Sequence, residues 1–304
     1  MATRVAILGG GHGIASVLRA LRDYDDYELT AVVTVGDDGG SSGELRRRNG
    51  GHAVGDMRRS LLALSGDDVA LARALAQPVT LHRFGRHPLG NLVIRSLATA
   101  LGDLEAASGW LAVQLGAGGR VLPATLDPVS LIAEAGGELI RGESAIGAAN
   151  ARIRRLRFSP ERPRVPTAAL AAIADADWVL LGPGSLFTSV LAVSAVPDVA
   201  SALRATSATV AWVCNLERQH AETSEMSAPS HLAALRRHGV RVDLVLHDPS
   251  AELHFTPRQL ARARVPAIAR PLAGALPGVH DPDLLALALG DLFDGSPHAV
   301  PIAA

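Results

Sequence analysis

Apolar residues along the chain fall into two alternating patterns. Short continuous runs read as buried strands, and stretches with apolar residues every three or four positions read as amphipathic helices. Val5-Ala6-Ile7-Leu8 is the first run, and it passes into Gly9-Gly10-Gly11-His12-Gly13. Ile14, Val17, Leu18 and Leu21 then recur at helical spacing. A second strand is expected over 29–35, ending in the glycine-serine stretch 36–43. Strand, loop, helix and strand in that order open a doubly wound parallel sheet.

Further along, a helix is predicted over 57–64, capped by Asp56, and another over Leu89–Leu101, opened by the segment 84–88. Two short apolar runs within 129–140 flank Gly136-Gly137, the pattern of a β-hairpin. The hairpin and its arginine-rich sequel, 152–164, are expected to form a small insertion. Trp178–Leu181 is again a buried-type strand, running into Gly182-Pro183-Gly184-Ser185 and a helical pattern from Leu186. Thr209–Val213 and 242–246 complete the predicted strands. The expected architecture is a Rossmann-like three-layer α/β/α sandwich with a doubly wound, mainly parallel sheet. It is expected as one domain over 1–293, with an inserted α+β region at about 103–166 and a flexible tail over 294–304.

Composition narrows the chemistry. All 29 basic residues are arginine, against 30 acidic residues, for a formal net charge of −1. Without lysine, neither a Walker-type phosphate loop nor Schiff-base catalysis can be built. The near-neutral charge argues against a broad nucleic-acid surface, and no aromatics interleave with the arginines of 152–164 to stack bases. Apolar residues make up 48% of the chain but aromatics only 3%, so the core is expected to be aliphatic and alanine-rich. The lone cysteine, Cys214, excludes an intramolecular disulfide framework and fits a reducing compartment. No apolar run reaches the roughly 18 residues of a membrane span. The N-terminus has no signal-peptide layout, so a cytoplasmic location without membrane insertion is expected.

The candidate chemistry lies in the loops. Glycine loops between a parallel strand and a helix aim backbone N–H groups at a helix N-terminus, which favours phosphate. The first loop is a partial dinucleotide fingerprint, with Ser16 at the third glycine position, and such loops also serve plain tight turns. Gly182-Pro183-Gly184-Ser185 repeats the arrangement, so the two loops are expected to line one crevice at the switch point of the sheet. The Asp37-Asp38 pair ends the second predicted strand. It reads as a ribose-binding carboxylate, a Mg²⁺ site or an Asx-type turn. Asp56 is equally a ligand-facing acid or an N-cap. His82 and His87 lie near the 89–91 segment and could face the crevice. Cys214 reads as a buried, inert thiol.

Several segments taken together resemble the gluconeogenesis factor family of the CofD-like superfamily. They are the first glycine loop, the run Val33-Thr34-Val35-Gly36-Asp37-Asp38-Gly39-Gly40-Ser41-Ser42-Gly43, and Gly55-Asp56-Met57-Arg58. Leu89-Gly90-Asn91-Leu92, Arg141-Gly142-Glu143-Ser144-Ala145-Ile146 and the segment 181–189 match in the same order, as do Asn215, Gln219, Glu222 and Thr223. The resemblance implies a Rossmann-like domain that binds a UDP-sugar such as UDP-N-acetylglucosamine. It also implies support of cell shape and wall synthesis on gluconeogenic carbon sources, in a protein that is not clearly an enzyme. The expected ligand-binding residues are Gly10, Gly11, His12, Gly13, Asp37, Asp38, Ser41, Ser42, Asp56, Asn91, Gly182, Gly184, Ser185, Asn215, Gln219 and Thr223. The glycine loops would cradle the diphosphate, with Asn215 and Gln219 reading base or sugar. A homodimer is expected. The alternative reading is a 2-phospho-L-lactate transferase-like enzyme with Mg²⁺ on Asp38, and no other cofactor is expected.

The chain departs from the family pattern at several points. His12 stands where the family usually has threonine, Ala53 and Val54 where it has two prolines, and Arg59 where it has asparagine. His220 and Ala221 stand where the family usually has proline and glycine. Val279, not arginine, precedes His280-Asp281, which removes a natural diphosphate clamp. With no lysine available, Arg58, Arg59 and His12 are the nearest candidate cations for a phosphate.

Overall fold

A computed structural model of the chain describes residues 2–82, 85–219 and 221–295. The first half runs β1 (Thr3–Gly9), α1 (Gly11–Leu21), β2 (Tyr27–Val33), α2 (Gly40–Asn49), α3 (Gly55–Leu64), α4 (Ala70–Ala76), β3 (Pro78–Leu81), β4 (Gly85–Pro88), α5 (Leu89–Leu101), α6 (Leu104–Leu115) and β5 (Gly119–Pro123). A small unit follows: β6 (Ser130–Ala135), β7 (Glu138–Arg141), α7 (Glu143–Gly147) and β8 (Ile153–Ser159). The chain then continues through α8 (Thr167–Ala174) and β9 (Trp178–Leu181) into a π-helical turn, Leu186–Val190. The last part comprises α9 (Leu191–Ser194), α10 (Pro197–Ala205), β10 (Thr209–Val213), α11 (Ala228–Arg237), β11 (Leu244–His247), α12 (Pro257–Ala263), β12 (Ala267–Ala269) and α13 (Pro282–Phe293).

Seven strands form one sheet in the order β12-β11-β10-β9-β1-β2-β5, and every pairing in it is parallel. Both faces of such a sheet must be covered, which is why its strands are apolar on both sides. In β1, Val5 and Ile7 join the core that holds Ile14, Val17, Leu18 and Met57, beneath α1, α3 and α13. Ala6 and Leu8 point the other way, into the core that holds Phe187, Val190, Leu203 and Trp212. The sheet therefore separates two aliphatic cores, as a three-layer α/β/α sandwich requires. Among the described residues, no single helix is long and apolar enough to cross a membrane.

From β1 the chain winds outward to β2 and β5, and from β9 it winds the other way to β10, β11 and β12. The strand order thus reverses between β1 and β9. That is the switch point at which open α/β sheets present a ligand crevice, outside the carboxyl ends of the strands. The two glycine loops follow directly from these two strands.

The 130–159 unit is a three-stranded antiparallel sheet in the order β7-β6-β8, and its Leu131, Ala133 and Phe158 extend the second core. Although β5 lies inside the stretch expected as an insertion, it is an edge strand of the main sheet.

Other local expectations shift. The second strand ends at Val33, and residues 34–39 are loop. Asp56 is not the cap of its helix: α3 starts at Gly55 with Val54 as N-cap, and Asp56 occupies the first turn. Residues 85–88 do not open α5 as a helical segment but pair as β4 with β3, His87 opposite Val79. The predicted strand over 242–246 lies at Leu244–His247, and β5 and β12 add to the strands expected. Phe84, His220 and the tail from 296 onward lie outside the described residues.

Candidate functional site

The first glycine loop closes over the second. A Cβ placed on Gly13 would lie 1.9 Å from the carbonyl oxygen of Pro183 and 3.0 Å from the amide nitrogen of Gly184. Only a residue without a side chain permits that approach. Gly10, the N-cap of α1, provides no side-chain cap, so the first-turn N–H groups have no side-chain oxygen from the cap residue. Beneath it a Cβ would meet a carboxylate oxygen of Asp56 at 2.5 Å. Asp56 is buried and forms an ion pair with Arg59 one turn later in α3. Arg59 Nε is itself buried without a partner. His12 sits beside these groups. Burial first and the positive charge of Arg59 second push its pKa down, against a smaller pull from Asp56. Burial thus favours the neutral imidazole at His12.

The second glycine loop is held by side chains arriving from the loop after β10. Asn215 Oδ1 accepts from Gly184 N at 2.8 Å, and Asn215 Nδ2 donates to Gly184 O at 2.7 Å. Gln219 Oε1 accepts from Leu186 N at 3.2 Å, while its Nε2 donates to Ser185 Oγ. The two carboxylate oxygens of Glu222 accept from Phe187 N at 2.7 Å and from Thr188 Oγ1 at 2.9 Å. Thr223 Oγ1 accepts from Gln219 N at 3.0 Å, bracing the bracing loop itself. Asn215 and Gln219 thus tie their amide groups to Gly184, Ser185 and Leu186. Sequence reading placed Glu222 in the motif without a role. Its separation of 34 and 35 residues from the groups it holds left no local signal.

The acidic loop is held by hydrogen bonds to nearby and distant backbone amides. Asp37 Oδ1 accepts from Gly39 N at 2.7 Å, an Asx-type turn. Asp38 caps α7: Oδ2 accepts from Glu143 N at 3.1 Å and Oδ1 from Ser144 N at 2.8 Å. Gly142 lies so close that a Cβ there would be 2.3 Å from Asp38 Oδ2. Arg46 fixes the loop from below through Gly36 O, Asp37 O and Val129 O. Both oxygens of Asp38 are committed to backbone amides, and among the described residues no three His, Cys, Asp or Glu side chains converge on one point. This donor set does not by itself make a protein-built Mg²⁺ site.

Ser41 and Asn91 belong to a chain of hydrogen bonds that links the acidic loop to α5 and α3. Ser41 Oγ pairs with His87 Nδ1 at 2.8 Å, Asn91 Nδ2 donates to Ser41 Oγ at 3.0 Å, and Arg58 Nε donates to Asn91 Oδ1 at 3.0 Å. Ser42 is buried against Gly55, where a Cβ would lie 2.7 Å from Ser42 Oγ. His87 is buried within this network, whereas His82 is exposed. Cys214 is buried, burial raises its thiol pKa, and His280 Nε2 pairs with the Cys214 carbonyl. Asp281 caps α13, so the His-Asp pair that follows Val279 serves local structure.

One further acid enters the site from α7. Burial raises the Glu143 pKa to about 7, with the negative charges of Asp37, Asp38, Asp56 and Glu222 adding to the effect in that order. Residues from three separate parts of the chain therefore share one field. Glu222 is raised for the same primary reason, burial, opposed by the donors Phe187 and Thr188.

These features define a Rossmann-like, doubly wound α/β protein with two glycine loops packed together at its switch point. The chain belongs to the CofD family: residues 5–267 match the family described as 2-phospho-L-lactate transferase CofD. Among its relatives is a gluconeogenesis factor of Halalkalibacterium halodurans, 35% identical over 80% of this chain and 77% of that protein. A Deinococcus radiodurans protein named "Putative gluconeogenesis factor" is 39% identical over 97% of this chain and 67% of its own length. One of the same name from Mycobacterium tuberculosis is 38% identical over 95% of this chain and 90% of its own. A crystal structure of a UPF0052 family member from Bacillus halodurans superposes with a TM-score of 0.90 at 30% identity, covering 95% of this chain and 99% of that one.

Proposed function

We propose that the protein is a gluconeogenesis factor that binds a UDP-sugar of the UDP-N-acetylglucosamine type in the crevice between the two glycine loops. In this reading it works as a homodimer in the cytoplasm and supports cell shape and wall synthesis during growth on gluconeogenic carbon. The observation that carries the proposal is the contact of Gly13 with Pro183 and Gly184 at the switch point. It aligns the amide-rich start of α1 with the second loop, the arrangement that favours a diphosphate. Arg58 and Arg59 supply the fixed positive charge that a lysine-free chain needs there. Asp37, Asp38, Asn215, Gln219 and Thr223 act by shaping the loops around the ligand. Isothermal titration with UDP-N-acetylglucosamine, UDP-glucose, GDP and NAD tests the reading, with a UDP-sugar expected to bind most tightly. If neither UDP-sugar binds at millimolar concentration, the proposal fails.

The match of residues 5–267 to a transferase family supports a second reading, transfer of a phospholactyl group to a deazaflavin. Mass spectrometric detection of that product with Mg²⁺ present would establish it. The engagement of both Asp38 oxygens by Glu143 N and Ser144 N favours the binding reading.

A further inference from the structure

Behind the loop that braces the second glycine loop lies a cavity of about 460 Å³, walled by the α7–β8 connection, the turn 221–226 and α11. Its size falls within the roughly 300–1,000 Å³ of small-molecule sites. Two arginine residues line it, Arg152 just before β8 and Arg237 from the last turn of α11. Among the described residues neither joins an ion pair, whereas Arg22, Arg157 and Arg164 each hold a carboxylate. Among the described residues, Arg237 makes a long side-chain hydrogen bond, 3.4 Å, to the carbonyl of Arg154. The carboxylate of Glu222 is turned away onto Phe187 N and Thr188 Oγ1, and that of the exposed Glu225 makes no ion pair with either arginine.

The remaining wall is neutral and polar. Asn150 and Ser224 line the same cavity, and Ser224 Oγ donates to Asn150 Oδ1 at 3.5 Å. Ala221, also in the wall, holds φ at 67°, a left-handed conformation that costs a residue with a side chain about 1–2 kcal/mol. Such strain concentrates at ligand clamps. Arginine guanidinium groups without carboxylate partners match the charge and planar geometry of a phosphate. Neutral amide and hydroxyl groups beside them suit the hydroxyls of a small sugar.

We infer that this cavity is a second ligand site, distinct from the crevice, for a compact phosphorylated sugar whose phosphate is held by Arg152 and Arg237. It does not depend on what the crevice binds. Calorimetric titration of the full chain with glucose 6-phosphate, inorganic phosphate and glucose tests it. Both phosphate probes are expected to bind and glucose is not. The double variant Arg152→Ala/Arg237→Ala is expected to bind glucose 6-phosphate at least tenfold more weakly with its thermal unfolding temperature preserved. Ser224→Glu, which adds a repelling carboxylate to the wall, is expected to weaken it similarly. Unchanged phosphate binding in both variants, or none in the unmodified protein, overturns the inference. Titration of UDP-N-acetylglucosamine into the same variants keeps this outcome separate from that of the crevice.

Discussion

Gly13 and Pro183 are 170 residues apart in the chain, yet a methyl group on Gly13 would fall 1.9 Å from the Pro183 carbonyl oxygen. The obstacle is backbone, which no rotamer change can move aside. Gly13→Ala is therefore expected to part the two glycine loops. Overpacking of this kind destabilises by about 1–3 kcal/mol, read as a lower urea midpoint. UDP-sugar binding is expected to fall by more than tenfold, and a variant of unchanged stability and affinity would contradict the contact.

Asp38 is expected to matter as a helix cap. Asp38→Ala leaves Glu143 N and Ser144 N without their acceptor, a loss of about 1–3 kcal/mol for charge-assisted bonds. Asp38→Asn, which keeps one acceptor oxygen, should fall between it and the unmodified protein. Amide hydrogen exchange at residues 143 and 144 checks the assignment: protection there should drop in both variants while β1 stays protected.

Glu143 makes stability depend on pH. Its pKa is about 7 in the folded protein, against an ordinary value of 4.5. The folded state thus holds the proton more tightly than the unfolded state. The resulting stabilisation is complete below pH 4.5 and is lost as pH rises toward 7. Because the carboxyl is partly exposed, the effect should be on the order of 1–2 kcal/mol. Glu143→Gln should flatten the decline between pH 5 and 7.5 in thermal melts. An equal slope in both proteins would show that another group controls it.

Ala221 occupies left-handed backbone, with φ at 67°. Ala221→Gly should relieve strain, offset in part by the greater freedom of glycine in the unfolded chain. A net gain of about 0.5–1 kcal/mol is expected from chemical denaturation. A loss of stability would place the strain elsewhere.

Much of the frame was legible because the signals are local. Trp178–Leu181, Thr209–Val213 and Leu89–Leu101 lie where the apolar patterning predicts them. Buried parallel strands and amphipathic helices carry their burial in consecutive residues, and Gly9-Gly10-Gly11 and Gly182-Pro183-Gly184 mark strand ends by composition alone. The strands β5 and β12 carry weaker signals, because Gly119, Arg120 and Pro123 leave only Val121-Leu122 as an apolar run and Ala267-Ile268-Ala269 is only three residues long. An aspartate beside glycine looks equally like a cap or a ligand-facing acid, and only the packing of Gly10 over Asp56 reveals a buried partner of Arg59.

By itself, then, the sequence determined the α/β class, the two glycine loops and the absence of lysine chemistry, because each is a property of adjacent residues or of composition. The tertiary structure decided what the polar side chains do. Asn215, Gln219 and Glu222 hold the second loop, Asp38 caps a helix 105 residues away, and Glu143 stands in the field of four other acids. Hydrogen-bond partners and electrostatic fields are set by distance in space, and the doubly wound sheet brings those distances together only after the chain has crossed it in both directions.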